Sequence, residues 1–265
     1  MKLDAKNVML SAAGMMLLFT SCLTIKQKQI VDPPYVPPKV EGADAGETEK
    51  LAKIYFSKDN VPVIDGVFDE WKGLEGVHSR KMVYGGLFNP VNTDGFFVVR
   101  TDGVNLYLYA DVTDDDPETN AYPAAQAWRG DSIEFFFGTD TSAHKFYKNT
   151  DKRVRIIPKS KDNKFKFDLS INDVSTVNSA IKAAIVFSDK GYQIEAVIPL
   201  SALNTAGLKL KQNVRCDFQV NDGDNGKERS RLMHWNSPKD NTYLDASSWG
   251  PGKVVALPAE NGGTK

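Results

Sequence analysis

The chain has 265 residues, with 33 basic and 34 acidic side chains and a formal net charge of −1 at pH 7. So balanced a composition supplies no basic field for nucleic acid, which is excluded as a partner. The only two cysteines, Cys22 and Cys216, cannot form a disulfide framework.

Residues 1–21 read as a lipoprotein signal peptide. Lys2 and Lys6 form a short basic start, and "VMLSAAGMMLLF" (8–19) is an apolar run. The run falls short of the ~20 residues a membrane span needs, but it suits the apolar region of a secretory signal. "FTSC" resembles a bacterial lipobox, with Phe19 where an aliphatic residue is usual. Cleavage would leave Cys22 as a lipidated N-terminus. Residues 22–50 then form a polar tether with "PPYVPP" (33–38), semi-extended because proline fixes φ and removes a donor. The expected domain covers 51–258, and 259–265 form a flexible tail. Without residues 1–21 the chain loses Lys2, Lys6 and Asp4, leaving 31 basic and 33 acidic side chains.

Short alternating segments with turn residues between them fill the domain. Strands are expected at 96–101, 105–112, 132–137, 153–158, 165–170, 182–188, 191–199 and 214–221. "TDG", "DDDP" and "SDKG" punctuate them as turns. The one helical piece is short, "LSALNTAG" (200–207), with Ser201 as its cap and Gly207 as its stop. Many strands and almost no helix predict an all-β fold, an antiparallel β-sandwich or jelly roll with a short helical turn. "VRCDFQV" places Cys216 on a strand as a small buried hydrophobe.

No nucleophile elbow, phosphate loop or dinucleotide fingerprint is present. His78, His144 and His234 are scattered and make no metal spacing with cysteine. Acids are plentiful, but no motif selects a catalytic pair. The chain is therefore read as a binding protein, not an enzyme.

Aromatic residues beside charged ones suggest what it binds. A sugar ring presents C–H groups on its faces, which flat aromatic side chains cover, and hydroxyls on its rim, which charged or amide groups satisfy. In "AWRGDSIEFFFGTD" (127–140), Ile133, Phe135 and Phe137 form an apolar strand face, and Glu134 lies on the other face a few residues after Trp128. "RVRII" puts Arg153 and Arg155 on one face, opposite Val154 and Ile156. Each also has a plain reading, as a core cap, an ion pair or a solvated strand residue.

Five blocks taken in order, "IDGVFDEWKG", "NLYLYADVTDDDP", "WRGDSIEFFFGTD", "GYQIEAVIPLSAL" and the long segment 218–257, resemble carbohydrate-binding module family 9. The resemblance covers about residues 61 to 257. It implies a β-sandwich that holds a sugar ring or chain end between two aromatic plates, without chemistry. By position it implies Trp128 as the first plate, Glu134 as the rim acid and Arg155 as the strand arginine. The second plate falls on Tyr243, where the family has tryptophan, and the rim amide falls near Asp240 or Asn241. Arg153 and Asp222 are secondary candidates. Trp71, Trp235 and Trp249 are read as packing residues.

The resemblance also implies structural calcium, for which the acid-rich loops around Asp65, Asp69 and Asp114 offer hard oxygen ligands; no other cofactor is required. "NDGDNG" (221–226) reads equally as ligands or as a hairpin turn. The implied setting is the outer membrane of a Gram-negative envelope, with oligo- or polysaccharide, the membrane, and glycoside hydrolases or transporters as partners. Three other functions stay open at this point. One is a structural envelope protein whose site has degenerated, and another is a glycosidase. The third is a haem-binding sandwich that would draw on Met82, Met233 or His234.

Overall fold

The computed structural model describes residues 51–224 and 228–259. The expected signal, the expected lipidation at Cys22, the expected tether and most of the expected tail lie outside the described residues.

Fourteen strands are present among the described residues. They are β1 (Ala52–Phe56), β2 (Val77–His78), β3 (Lys81–Tyr84), β4 (Thr93–Thr101), β5 (Asn105–Asp114), β6 (Ser132–Gly138) and β7 (Lys152–Pro158), followed by β8 (Phe167–Ile171), β9 (Val174–Ser175), β10 (Lys182–Ser188), β11 (Gly191–Pro199), β12 (Asn213–Asp222), β13 (Arg231–His234) and β14 (Gly250–Ala256). All eight expected strands are among them. The segment expected from 165 begins two residues later, because Asn163 holds a turn that accepts from the Phe165 and Lys166 N–H groups.

The strands run in the order β10-β11-β5-β4-β1-β14-β12-β6-β7-β8-β9, with β13 on β12 and β2 on β4. Almost every pairing is antiparallel; β1 lies parallel to both β4 and β14 and so joins two halves. The sheet curls so that these halves face each other. Phe97 of β4 meets Phe218 of β12 with ring centroids 5.1 Å apart, and Phe135 of β6 lies 5.2 Å from Phe218. At the far end the Ile185 N–H of β10 donates to Lys164 O ahead of β8 at 2.7 Å. The result is the expected β-sandwich.

Side-chain alternation sorts each strand into an inner and an outer face. Leu106, Leu108 and Ala110 of β5, Ile133, Phe135 and Phe137 of β6, and Cys216, Phe218 and Val220 of β12 all enter the one large core. Cys216 is fully buried, and burial pushes its thiol well up. The outer faces are covered too. Trp71 packs over Tyr55, Val98, Tyr107 and Tyr109 on one half, and Trp249 packs with Phe136 and Ala246 on the other. Trp71, Trp235 and Trp249 are all buried, as their packing roles required.

The helical piece differs from expectation. It is a single 3-10 turn, Leu200–Leu203, in which Ser201 lies inside and makes no capping bond. Asn204, in the left-handed region at φ 53°, ends it. Asparagine tolerates that conformation, so the chain turns three residues before Gly207.

Candidate functional site

The outer face of β6, β7 and β12 builds a polar floor. Ladder register sets Glu134 opposite Arg155 on one side and opposite Gln219 on the other. Glu134 Oε1 accepts from Arg155 Nε at 2.8 Å and from Asn221 Nδ2 at 3.1 Å, while Oε2 lies 3.5 Å from Arg153 Nε. Burial pushes this carboxyl up, but the Arg155 and Arg153 charges and the hydrogen bonds outweigh it and hold the group down to about 2. Glu134 is therefore ionised at neutral pH.

A tight hairpin completes the charge balance. Asn172 and Asp173 adopt φ of 50° and 64°, the left-handed pair that a two-residue turn between β8 and β9 requires. Asp173 Oδ1 accepts from Arg155 Nη1 at 2.9 Å, and Asp173 Oδ2 pairs with Arg153. Arg155 Nη1 also donates to Ala124 O at 2.8 Å, tying the floor to the 3-10 turn Ala124–Arg129.

That turn presents Trp128, 39% exposed, at one end of the floor. Its base is stitched by Asn120 Nδ2, which donates to Ala127 O at 2.7 Å and to Asp131 O at 3.0 Å. Tyr243, 45% exposed, stands on the loop between β13 and β14 at the other end. Buried Asp217 accepts from Asn236 N at 2.9 Å and Ser237 N at 3.0 Å, fixing where that loop starts. Tyr147 Oη donates to Thr242 O at 2.6 Å, fixing the residue before Tyr243. Each exposed ring leans on an arginine: the Arg229 guanidinium carbon lies 5.0 Å from the Trp128 centroid, and that of Arg153 lies 5.6 Å from Tyr243.

The predicted residues thus meet, with their roles redistributed. Glu134 is 1% exposed and Arg155 fully buried, so they form the floor and not the rim. Asp240 is taken by Arg229 in an ion pair, whereas Asn241 keeps a buried Oδ1 with no hydrogen-bond partner. Glu134 Oε2 and Arg155 Nη2 are likewise buried and without a hydrogen bond. These three atoms are thus buried without a hydrogen bond, although buried polar groups are ordinarily satisfied; Glu134 Oε2 keeps its ion pair with Arg153. Sequence reasoning missed Arg229, Asn221 and Asp173. Asn221 was recoverable from the alternation of β12; Arg229 carried no local signal.

Residues 64–256 match the family model described as carbohydrate family 9 binding domain-like. The chain belongs to that family. It is a carbohydrate-binding module. A family 9 module from Caldicellulosiruptor kristjanssonii in complex with cellotriose is 22% identical, covers 80% of this chain and 98% of its own, and superposes with a TM-score of 0.59. The same module in complex with glucose is 23% identical, at the same 80% coverage of this chain and 100% of its own, also with a TM-score of 0.59. Endo-1,4-beta-xylanase A of Thermoanaerobacterium saccharolyticum is 26% identical over 202 residues, 76% of this chain and 16% of that protein. Exoglucanase XynX of Acetivibrio thermocellus is 26% identical over 76% of this chain and 17% of its own length. The chain spans about a sixth of these curated relatives, so their enzymatic names describe far more chain than is shared.

Beside the floor the family 9 module carries a second cluster. Carboxylate oxygens of Asp114, Asp131 and Asp222, all buried, lie within 4.8 Å of one another. Asp131 accepts from Glu118 N at 2.7 Å and Gly223 N at 2.8 Å, Asp114 from Asp116 N at 2.9 Å, and Asp222 from Thr93 Oγ1. Arg231, 3.3 Å from Asp222, is the one positive partner to these three carboxylates among the described residues. Burial and mutual repulsion raise Asp114 and Asp131. The buried Tyr192 hydroxyl has no hydrogen-bond partner, and these same acids act on it. Such a shortage of positive charge, with an orphaned hydroxyl beside all-oxygen donors, fits a hard divalent cation.

The acid-rich loops named from sequence contribute only Asp114. Asp65 turns back on its own loop, accepting from Val67 N at 2.8 Å, and Asp69 pairs with Lys72 at the surface, so neither reaches the cluster. Asp222 belongs to this cluster and not to the floor of Glu134 and Arg155. Of the residues considered for haem, Met82 and Met233 face each other across β3 and β13 and pack on the core, while His234 points oppositely, 3.4 Å from Asp217.

Proposed function

We propose that the space between Trp128 and Tyr243 takes a ring at the end of a β-1,4-linked gluco- or xylo-oligosaccharide, with no bond made or broken. The observation that carries this is the pair of exposed rings, each backed by an arginine, beside a buried charged floor. A sugar hydroxyl both donates and accepts, so ring hydroxyls can pair with the partly exposed Asp173 and Asp240 carboxylates at the margin of the rings. The rings cover the C–H faces, which gain little from water. The cellotriose and glucose held by the structural relatives, and the xylanase names of the curated ones, support this sugar class.

The acidic cluster is assigned to structural calcium held by Asp114, Asp131 and Asp222. Its work is positional. Asp131 lies three residues after Trp128 and Asp222 follows Asn221, so one ion would pin both sides of the cradle. The N-terminal segment supports a lipoprotein anchored through Cys22 in a bacterial outer membrane, where the module serves polysaccharide uptake beside hydrolases or transporters. Sugar affinity of single modules is modest, because polar desolvation offsets contact. Anchoring compensates through high local concentration.

Titration of the full chain with glucose, cellotriose, xylotriose and a mannan trisaccharide tests the sugar class. Saturable binding of the gluco- or xylo-sugars alone is the expected result. Preference for the mannan sugar would overturn the assignment.

A further inference from the structure

On the outer face of the opposite half of the sandwich lies a groove of about 490 Å³. That volume is within the ~300–1,000 Å³ typical of ligand pockets. Its walls include Phe68, Trp71, Phe96 and Tyr109, and its polar side is formed by Asp111 and Gln193.

The groove is built, not accidental. Alternation on β5 sends Leu108 and Ala110 inward and leaves Tyr109 and Asp111 outward, and β11 sets Gln193 opposite Asp111. The Trp71 ring stacks on Tyr109 at 5.5 Å and 19°. Below them buried Glu195 accepts from the Trp71 indole N–H at 3.2 Å, from Asp65 N at 2.6 Å, and from Gly66 N. Gly66 adopts φ +77°, a conformation that suits glycine and turns its N–H toward that carboxylate. Three donors on one carboxylate therefore fix the segment that carries Trp71, so the aromatic wall is in place before any ligand arrives. Gln193 Nε2 donates to Tyr109 Oη at 2.6 Å and to Asp111 Oδ2 at 3.2 Å. Asp111 Oδ1 and Gln193 Oε1 accept no hydrogen bond among the described residues.

We infer that this groove is a second saccharide site, taking a neutral oligosaccharide edge-on to Asp111 and Gln193 with its faces on the partly exposed rings of Phe68 and Phe96, over the buried Trp71–Tyr109 stack. The inference takes from the preceding reading only that the module's ligands are sugars. The chemistry discriminates among ligand classes. A wholly apolar ligand would cover the Asp111 and Gln193 acceptors without satisfying them, at a cost. An acidic sugar would meet the Asp111 carboxylate as a like charge, while Lys72 at the groove's edge is already paired with Asp69. A neutral polyol supplies donors to both acceptors and C–H faces to the rings. Two sites on opposite faces would let one anchored module hold two chains, or two parts of one chain, and so raise retention through effective concentration.

The four tryptophans give the test, because each indole N–H is one NMR resonance and Trp71 and Trp128 report different sites. The full chain, with these resonances assigned, is titrated with cellotriose and with xylotriose. The expected result is saturable movement of both, each with its own midpoint. Trp128→Ala leaves the Trp71 response intact. The double variant Asp111→Ala/Gln193→Ala, which removes the groove's polar edge and with it the partners of the Tyr109 hydroxyl, shifts the Trp71 midpoint at least tenfold and leaves that of Trp128. A static Trp71 resonance, one that loses its response in Trp128→Ala, or one indifferent to the double variant overturns the second site while the cradle stands. Movement of Trp71 without Trp128 supports the groove and overturns the cradle. Silence of both with both sugars overturns both.

Discussion

Replacing Glu134 by glutamine removes the charge on which the cradle floor is organised while keeping the side chain's shape. The magnitude follows from the burial and the two guanidinium groups. Bringing the carboxyl from 4.5 down to about 2 amounts to ~3 kcal/mol of preference for the charged form. That agrees with the ~3–5 kcal/mol expected when one partner of a buried ion pair is removed. The folded value lies below the unfolded one, so this stability is present in full above pH 4.5 and is lost as pH falls toward 2. Glu134→Gln should thus cost ~3 kcal/mol at pH 7, and roughly half of that difference should have vanished by pH 3. Urea unfolding of both proteins at pH 7, 5 and 3 measures it. A difference under ~1 kcal/mol at pH 7, or one that stays constant between pH 5 and 3, would refute the reasoning.

Three further outcomes are expected. Tyr243→Trp enlarges the second plate and should tighten sugar binding severalfold in a calorimetric titration, with the unfolding midpoint unchanged because the site is exposed. Chelation should lower the unfolding free energy of the calcium-loaded protein, by ~3 kcal/mol if calcium stood at a hundredfold its dissociation constant, and Asp131→Asn should abolish that response. Asp217→Ala leaves the Phe218, Asn236 and Ser237 N–H groups without their acceptor. At ~1–3 kcal/mol for each buried orphan it should be strongly destabilising, whereas Asp245→Ala, on a partly exposed cap, should cost ~1 kcal/mol.

Most of the sandwich was legible because strand alternation is local. Runs such as 182–188 and 191–199 coincide with β10 and β11 residue for residue. Three of the six strands not anticipated have clear physical reasons. β14, "GPGKVVA", begins with two glycines and a proline, which weaken any strand signal. β2 and β9 have two residues each, too few to show a period. The site was legible in its members but not in their depth. Alternation put Glu134 on the outer face; only the arrival of the 124–129 turn and the loop holding Tyr243 buries it. Nothing local to Arg229 announces that it would support Trp128. Asp114, Asp131 and Asp222 meet because β5, β6 and β12 bring three strand ends together, which spacing along the chain cannot reveal.

The central claim, that a sugar lies between Trp128 and Tyr243, is tested most directly by calorimetric titration of cellotriose into the full chain and into its Trp128→Ala variant. The account predicts saturable heat from the cradle in the wild type, and loss of that binding, by at least tenfold in affinity, in a variant whose circular dichroism and unfolding midpoint are unchanged. Equal affinity of a folded Trp128→Ala protein would contradict it.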